Sequence, residues 1–129
     1  MIVTYVSFSI GGGRKAEFEN WFLPLVEKTR TQAGCVAYDY LDDRQRPERG
    51  LMVEIWESPE AYSAHHCHPD HIEMLARGSS EFGMTDLQIH SWSEARGYTL
   101  TDRARTDSPV QGRDLVNRLV AEYTSKKSR

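Results

Sequence analysis

The sequence predicts a single α+β domain of the ferredoxin-like, split βαβ kind, with helices on one face of an antiparallel sheet. Three observations predict it. Ile2, Thr4, Val6, Phe8 and Ile10 alternate with Val3, Tyr5, Ser7 and Ser9, the period of a strand. Phe18, Trp21, Phe22, Leu25, Val26 and Thr29 recur at three- and four-residue spacing, the period of a helix. The segments that follow complete the order β-α-β-β-α-β. A length of 129 residues with 39% hydrophobic content suits one core and makes a second domain hard to fit.

The first strand stops at Gly11-Gly12-Gly13, a turn rather than a phosphate loop because no Lys-Ser or Lys-Thr follows. In the helix after it, Pro24 removes one backbone bond and crowds the preceding turn, so a kink is expected there. Gly34 ends that helix. Residues 35–41, rich in Val and Tyr, and residues 51–57 form a hairpin across a long polar loop. Ser58-Pro59-Glu60 is a helix start, because serine caps an orphan amide and proline suits the first helical position. That helix runs to about Cys67, Pro69 ends it, and Asp70 is the expected cap of another with Ile72, Leu75 and Ala76 on its apolar edge. Residues 85–92 supply the fourth strand.

In the third strand Leu51, Val53 and Ile55 share one side, and Met52, Glu54 and Trp56 the other. Usable residues on both sides imply two covered faces. With helices on one face, a second copy of the chain is the simplest cover for the other, and a two-fold dimer pairing two sheets is expected to bury Met52 and Trp56 around a shared or paired cavity. From residue 93 the composition turns polar, so residues 93–129 read as an extension of the domain at 1–92: a connector, then a helix with the stripe Leu115, Val116, Leu119, Val120 and Tyr123.

A formal net charge of -3 provides no strongly basic surface, which argues against nucleic acid as a partner. The first ten residues have no basic segment leading into a long apolar core, and no stretch approaches the roughly 20 apolar residues of a membrane span. A cytoplasmic protein without membrane attachment is expected, and Cys35 and Cys67 then read as reduced thiols.

The run Thr29-Arg30, Gly34-Cys35, Tyr38, then Glu54, Trp56-Glu57-Ser58, Glu60-Ala61, Ala64-His65 and His71 resembles the antibiotic-biosynthesis monooxygenase family, across residues 1–92. The resemblance implies a dimeric α+β barrel that oxidises an anthrone, quinol or related phenolic with dioxygen and without flavin, haem or metal. Such chemistry needs a base, a dry pocket and donors for a peroxide-like anion. His65 is the favoured base, with His71 and His90 as alternatives, because histidine titrates nearest neutral pH. The resemblance further places Trp56 and Tyr62 as pocket aromatics of the anthrone-oxidising branch, on which a flat substrate stacks and hydrogen-bonds. The chain departs from that branch where Met52 replaces an asparagine and where Ala76 replaces an arginine, with Arg77 one step off. The expected catalytic set is therefore His65, Tyr62 and Trp56, and the expected substrate contacts are His71, Met52 and Arg77.

Haem degradation is disfavoured, because the residues that branch needs are replaced by Ser7 or Ser9, His65 and about Leu75. Metal binding by the cluster from His65 to His71 is not expected, since Pro69 separates His71 from the helical face shared by His65 and His68. Two other functions fit the same fold: a non-redox isomerase or degrader of a small oxygenated metabolite, and a noncatalytic ligand-binding dimer.

Overall fold

The structure, a computed structural model, describes residues 1–93 together with Ala121 and Ser125, both helical. The chain divides into two units, Met1–Arg96 and Gly97–Arg129, and the sheet belongs to the first. The apolar stripe from Leu115 to Tyr123 and the connector before it lie outside the described residues.

The element order is β1 (Ile2–Ile10), α1 (Lys15–Thr29), β2 (Cys35–Asp42), β3 (Arg49–Trp56), α2 (Pro59–His66), α3 (Pro69–Ser80) and β4 (Met84–Trp92). All pairings are antiparallel in the order β2-β3-β1-β4, so the two ends of the chain order meet beside β1, as the split βαβ reading predicts. Register follows side-chain parity. Thr4 pairs with Glu54, Glu54 with Tyr38 and Thr4 with Ser91, which places these four side chains in one row across one face.

That face lies against the helices. Phe18, Phe22 and Val26 from α1 are buried among Phe8, Ile10, Tyr38, Met52 and Trp56 from the sheet and Phe82 from the turn before β4. Phe18 stacks on Phe22 at 4.9 Å and meets Phe8 edge-on at 5.5 Å. Each fully buried side chain of this size contributes about 1.5–3 kcal/mol relative to exposure, so α1 is the main clamp on the sheet. Pro24 sits on the exposed side of α1, where the backbone carbonyl it leaves without a partner can be solvated, and α1 passes through it as one helix.

The parity corrects one expectation. Met52 and Trp56 lie under the chain's own helices, at 3% and 0% exposure, and not on the face available to a second copy. The opposite face carries Leu51, Val53 and Ile55, which remain half-buried beside their partners Val3 and Tyr5. Sequence alone left the two parities of β3 equivalent, because both are largely apolar.

Two helix starts differ in detail. At α2 the Ser58 hydroxyl accepts the Ala61 amide at 3.1 Å, as expected. At α3 the cap is His68, whose Nδ1 accepts the Asp70 amide at 3.1 Å, with Pro69 inside the first turn. Asp70, expected as the cap, instead pairs with Lys28 at 3.1 Å.

Gly34 joins α1 to β2 with a φ of +79°, and its carbonyl accepts the Glu57 amide at 2.8 Å. A Cβ there would stand 2.4 Å from the Ala61 Cβ. Gly34→Ala therefore carries both a left-handed backbone penalty of about 1–2 kcal/mol and a collision with α2. Urea denaturation is expected to show a loss of at least ~2 kcal/mol; an unchanged midpoint would remove the case for this contact.

Candidate active site

Between the sheet and the helices lies a small cavity that opens to solvent on one side. Thr4, Val6 and Phe8 of β1, Met52 and Glu54 of β3, and Tyr38 of β2 form its floor. Phe22, His66, His71 and Met74 close it from the helices, and Leu87 and Ile89 of β4 border the side that opens to solvent. A smaller cavity shares Phe22, Tyr38, His71 and Met74 with it and reaches His65. The larger cavity has a volume of only about 30 Å³, room for roughly two waters. An aromatic ligand therefore requires side chains to move, and the methionines Met52, Met74 and Met84 are the adaptable ones. Gly78 keeps the Met84 corner close: a Cβ there would lie 2.8 Å from Met84 Cε.

The polar end of the cavity is built around Glu54. Its carboxylate, 5% exposed, accepts Trp56 Nε1–H at 3.2 Å through Oε2, and among the described residues Oε1 makes no hydrogen bond. Among the described residues, no Lys or Arg lines either cavity. Burial pushes the Glu54 carboxyl up to about 7, against a smaller downward pull from the Trp56 N–H. The backbone of β3 fixes it in place, because its parity puts it in the helix-facing row between Thr4 and Tyr38.

Three imidazoles gather above it. His65 is buried, stacks on Trp56 at 4.6 Å and bonds Gln32 Oε1 through Nδ1 at 3.0 Å. Its Nε2 lies 3.9 Å from Glu54 Oε2, too far for a hydrogen bond. Burial, with His71, His66 and His68 adding to it, pushes His65 down to about 3, so the pair is never oppositely charged: the imidazole is neutral wherever the carboxylate is ionised. Burial pushes His71 down to about 4, with His66 adding to it and a bond to the His66 backbone opposing it, and burial also lowers His66. Among the described residues, the buried nitrogens His65 Nε2, His66 Nε2 and His71 Nδ1 have no hydrogen-bond partner. Their rings stand 4.6 to 5.6 Å apart. Among the described residues, no set of three His, Cys, Asp or Glu side chains is placed to hold one metal ion.

The residues singled out from sequence fall in different places. Met52 and His71 line the larger cavity and His65 the smaller. Trp56 forms the wall behind Glu54 and His65. Tyr62 stands apart from that pair: its ring packs edge-on to His66 at 4.3 Å and its hydroxyl lies 2.9 Å from Ser91 Oγ, which lies 3.0 Å from Thr4 Oγ1. Tyr62, Trp56 and His65 thus do not converge on one space between two sheets. His90 belongs to the opposite face, beside Tyr5 and Trp92. Arg77 is turned away from the cavity, over the Trp21 ring at 4.6 Å and paired with Glu81 at 2.9 Å and Glu73 at 3.5 Å. The position next to the missing arginine therefore provides no substitute for it. Sequence reasoning passed over Glu54 and His66. The available signal was a carboxylate in mid-strand, flanked by apolar residues of both parities.

The described residues thus form a small α+β domain with an apolar cavity closed at one end by a buried carboxyl and imidazoles. The family model for antibiotic biosynthesis monooxygenase matches residues 1–77, and the chain belongs to that family. Solved structures share the fold. A candidate antibiotic biosynthesis monooxygenase from Deinococcus radiodurans superposes with a TM-score of 0.71 at 20% identity, covering 78% of this chain and 99% of that one. One from Nitrosomonas europaea gives 0.66 at 16%, covering 74% and 100%, and PA3566 from Pseudomonas aeruginosa gives 0.65 at 21%, covering 74% and 94%. No curated protein matches the chain. Among the described residues no helix is long and apolar enough to cross a membrane.

Proposed function

We propose that the chain is a monooxygenase that uses dioxygen directly, without a cofactor, to oxidise a small phenolic, anthrone-like or quinol-like compound held in the cavity between sheet and helices. The observation that carries this reading is the pairing, within one protomer, of an apolar chamber with a polar end made of Glu54, His66 and His71. Membership of the monooxygenase family supplies the reaction class. For an anthrone the net reaction is one substrate plus one dioxygen giving one quinone and one water. An electron-rich anion passes an electron to dioxygen, the two radicals join through a new C–O bond, and the hydroperoxide so formed loses water to leave a carbonyl. The protein contributes removal of a proton, exclusion of bulk water and placement of the ring.

In this reading His71 and Met52 touch the ligand. Trp56 and His65 act as positioning residues for the polar end, and Tyr62 holds α2 to β4 through Ser91. Arg77 has no part in it. The working form is a cytoplasmic homodimer, and its interface is the open sheet face with Leu51, Val53 and Ile55. Val53→Lys, which puts a charge at the centre of that face, is expected to shift the chain to the monomer in sedimentation; an unchanged dimer would place the interface elsewhere.

The test is turnover of anthrone, and of a panel of quinols, in air and under argon, with products weighed after reaction in ¹⁸O₂. One labelled oxygen per product and no anaerobic consumption are expected. Consumption without oxygen and without added mass would instead support a proton-shift isomerase using the same carboxyl.

A further inference from the structure

We propose that Glu54 is the proton-transfer residue of this site, taking the acidic proton of the ligand, a phenol O–H or the ring methylene C–H of an anthrone, and later returning it to the peroxide anion, and that the site selects uncharged phenols and anthrones. The inference rests on the cavity being the substrate site. It departs from the sequence reading, which favoured His65.

Geometry separates the candidates. Glu54 lines the larger cavity, and its Oε1 makes no bond among the described residues. His65 does not reach that cavity; it borders the smaller one, with Nδ1 bonded to Gln32 and its ring pressed on Trp56. His71 does line the cavity, and its partnerless Nδ1 can accept a hydrogen bond from a ligand. Base strength then decides between His71 and Glu54. Burial weakens His71 to about 4, lowers His66 as well, and strengthens the Glu54 carboxylate to about 7, which makes Glu54 the strongest base of the three. The titratable groups around Glu54 are Cys35 and Tyr38 from β2, His65 and His66 from α2 and His71 from α3. Burial drives each of these groups toward its neutral form.

A buried carboxyl without a cationic partner is unfavourable for folding, and a built-in proton acceptor accounts for its presence. Among the described residues no Lys or Arg lines the cavities, which favours an uncharged ligand. A substrate carboxylate or phosphate would meet an ionised Glu54 with no cation among the described residues to neutralise it, whereas a neutral ring with one acidic O–H or C–H loses only its proton, to Glu54. The proton balance closes: Glu54 carboxylate and the ligand's acidic O–H or C–H become carboxylic acid and a ring-delocalised oxyanion, and the acid then protonates the peroxide anion after dioxygen has added.

The experiment compares the wild-type chain with Glu54→Gln and Glu54→Asp in two assays. In the first, 2-naphthol, which does not react with dioxygen under these conditions, is added while the infrared carboxylic acid band is followed. Wild type is expected to show a band that moves on binding and that Glu54→Gln lacks; a band that does not move would overturn the assignment whether or not turnover is found. The second assay is aerobic oxidation of anthrone across pH 5–9. We expect kcat/KM to rise through pH 7 in wild type, to fall at least about a hundredfold in Glu54→Gln, and to recover in part in Glu54→Asp. Glu54→Gln within a fewfold of wild type, with the same pH profile, would overturn the assignment and leave the oxygenase reading intact. No turnover by wild type beside a moving band would overturn the oxygenase reading and keep Glu54 as the residue that binds the hydroxyl. Binding of 3-hydroxy-2-naphthoate as tight as that of 2-naphthol would overturn the selection of uncharged ligands.

Discussion

Trp56→Ala is expected to remove about 3–5 kcal/mol of stability, which for a domain of this size is a large share of the total. Trp56 has no exposed surface, stacks on His65 at 4.6 Å, meets the Tyr38 ring edge-on at 6.3 Å and donates to Glu54 at 3.2 Å. Truncation leaves a void that the sheet cannot close and deprives Glu54 of its bond. Trp56→Phe separates the two losses. It keeps a ring against His65 but removes the N–H, so a smaller loss of about 1–2 kcal/mol is expected. Because that N–H lowers the Glu54 pKa, removing it moves the titration of Glu54 further upward. Denaturant titration of both variants at pH 6 and pH 8 checks this. Equal losses for alanine and phenylalanine would mean that the hydrogen bond, not the packing, dominates.

The second large effect is on the pH dependence of stability. The folded chain keeps the Glu54 proton up to about 7, whereas an unfolded carboxyl releases it near 4.5. Between those values the folded state binds more protons, so the Glu54 contribution falls as pH rises through the window. His71 and His65 work in the opposite sense. Their folded values of about 4 and about 3 lie below the ordinary 6.5, so the unfolded chain binds more protons there and stability is lost as pH falls below 6.5. Glu54→Gln removes only the first effect and keeps an acceptor for Trp56. The variant is expected to match wild type at pH 4.5 and to exceed it by up to ~3 kcal/mol at pH 8. A variant less stable than wild type at pH 8 would show that the ionised carboxylate is satisfied by partners and is not strained by burial. Stability gained with activity lost, from one substitution, is the pattern expected of a buried functional group.

Much of this architecture was legible in the sequence. The alternation over Ile2–Ile10, the stripe from Phe18 to Thr29 and the Ser58-Pro59 start are local signals, and local geometry obeys them. The site was less legible, for reasons that are also local. Parity shows that Met52, Glu54 and Trp56 share a face but not which face the helices choose. That choice depends on how α1 packs, and it moved the cavity from between two sheets to the inside of one protomer. His65 and His66 are neighbours on a short helix, and adjacent helical positions point in different directions, so naming one as the cavity residue required knowing how α2 rotates. Arg77 lies one residue from a position facing another way, and Glu73, Glu81 and Trp21 claim it. Glu54 was visible only as part of a family-like pattern, because its burial follows from β1 and β2 flanking it on either side.

The most direct measurement is a crystal structure of the chain with anthraquinone, the expected product of the anthrone test. The ring system should lie between Met52 and Met74, with one carbonyl oxygen within hydrogen-bond distance of the protonated Glu54 carboxyl. Anthraquinone found instead on the open sheet face beside Leu51, Val53 and Ile55, with the inner cavity unchanged, would contradict the location of the active site and with it the roles assigned to Glu54, His66 and His71.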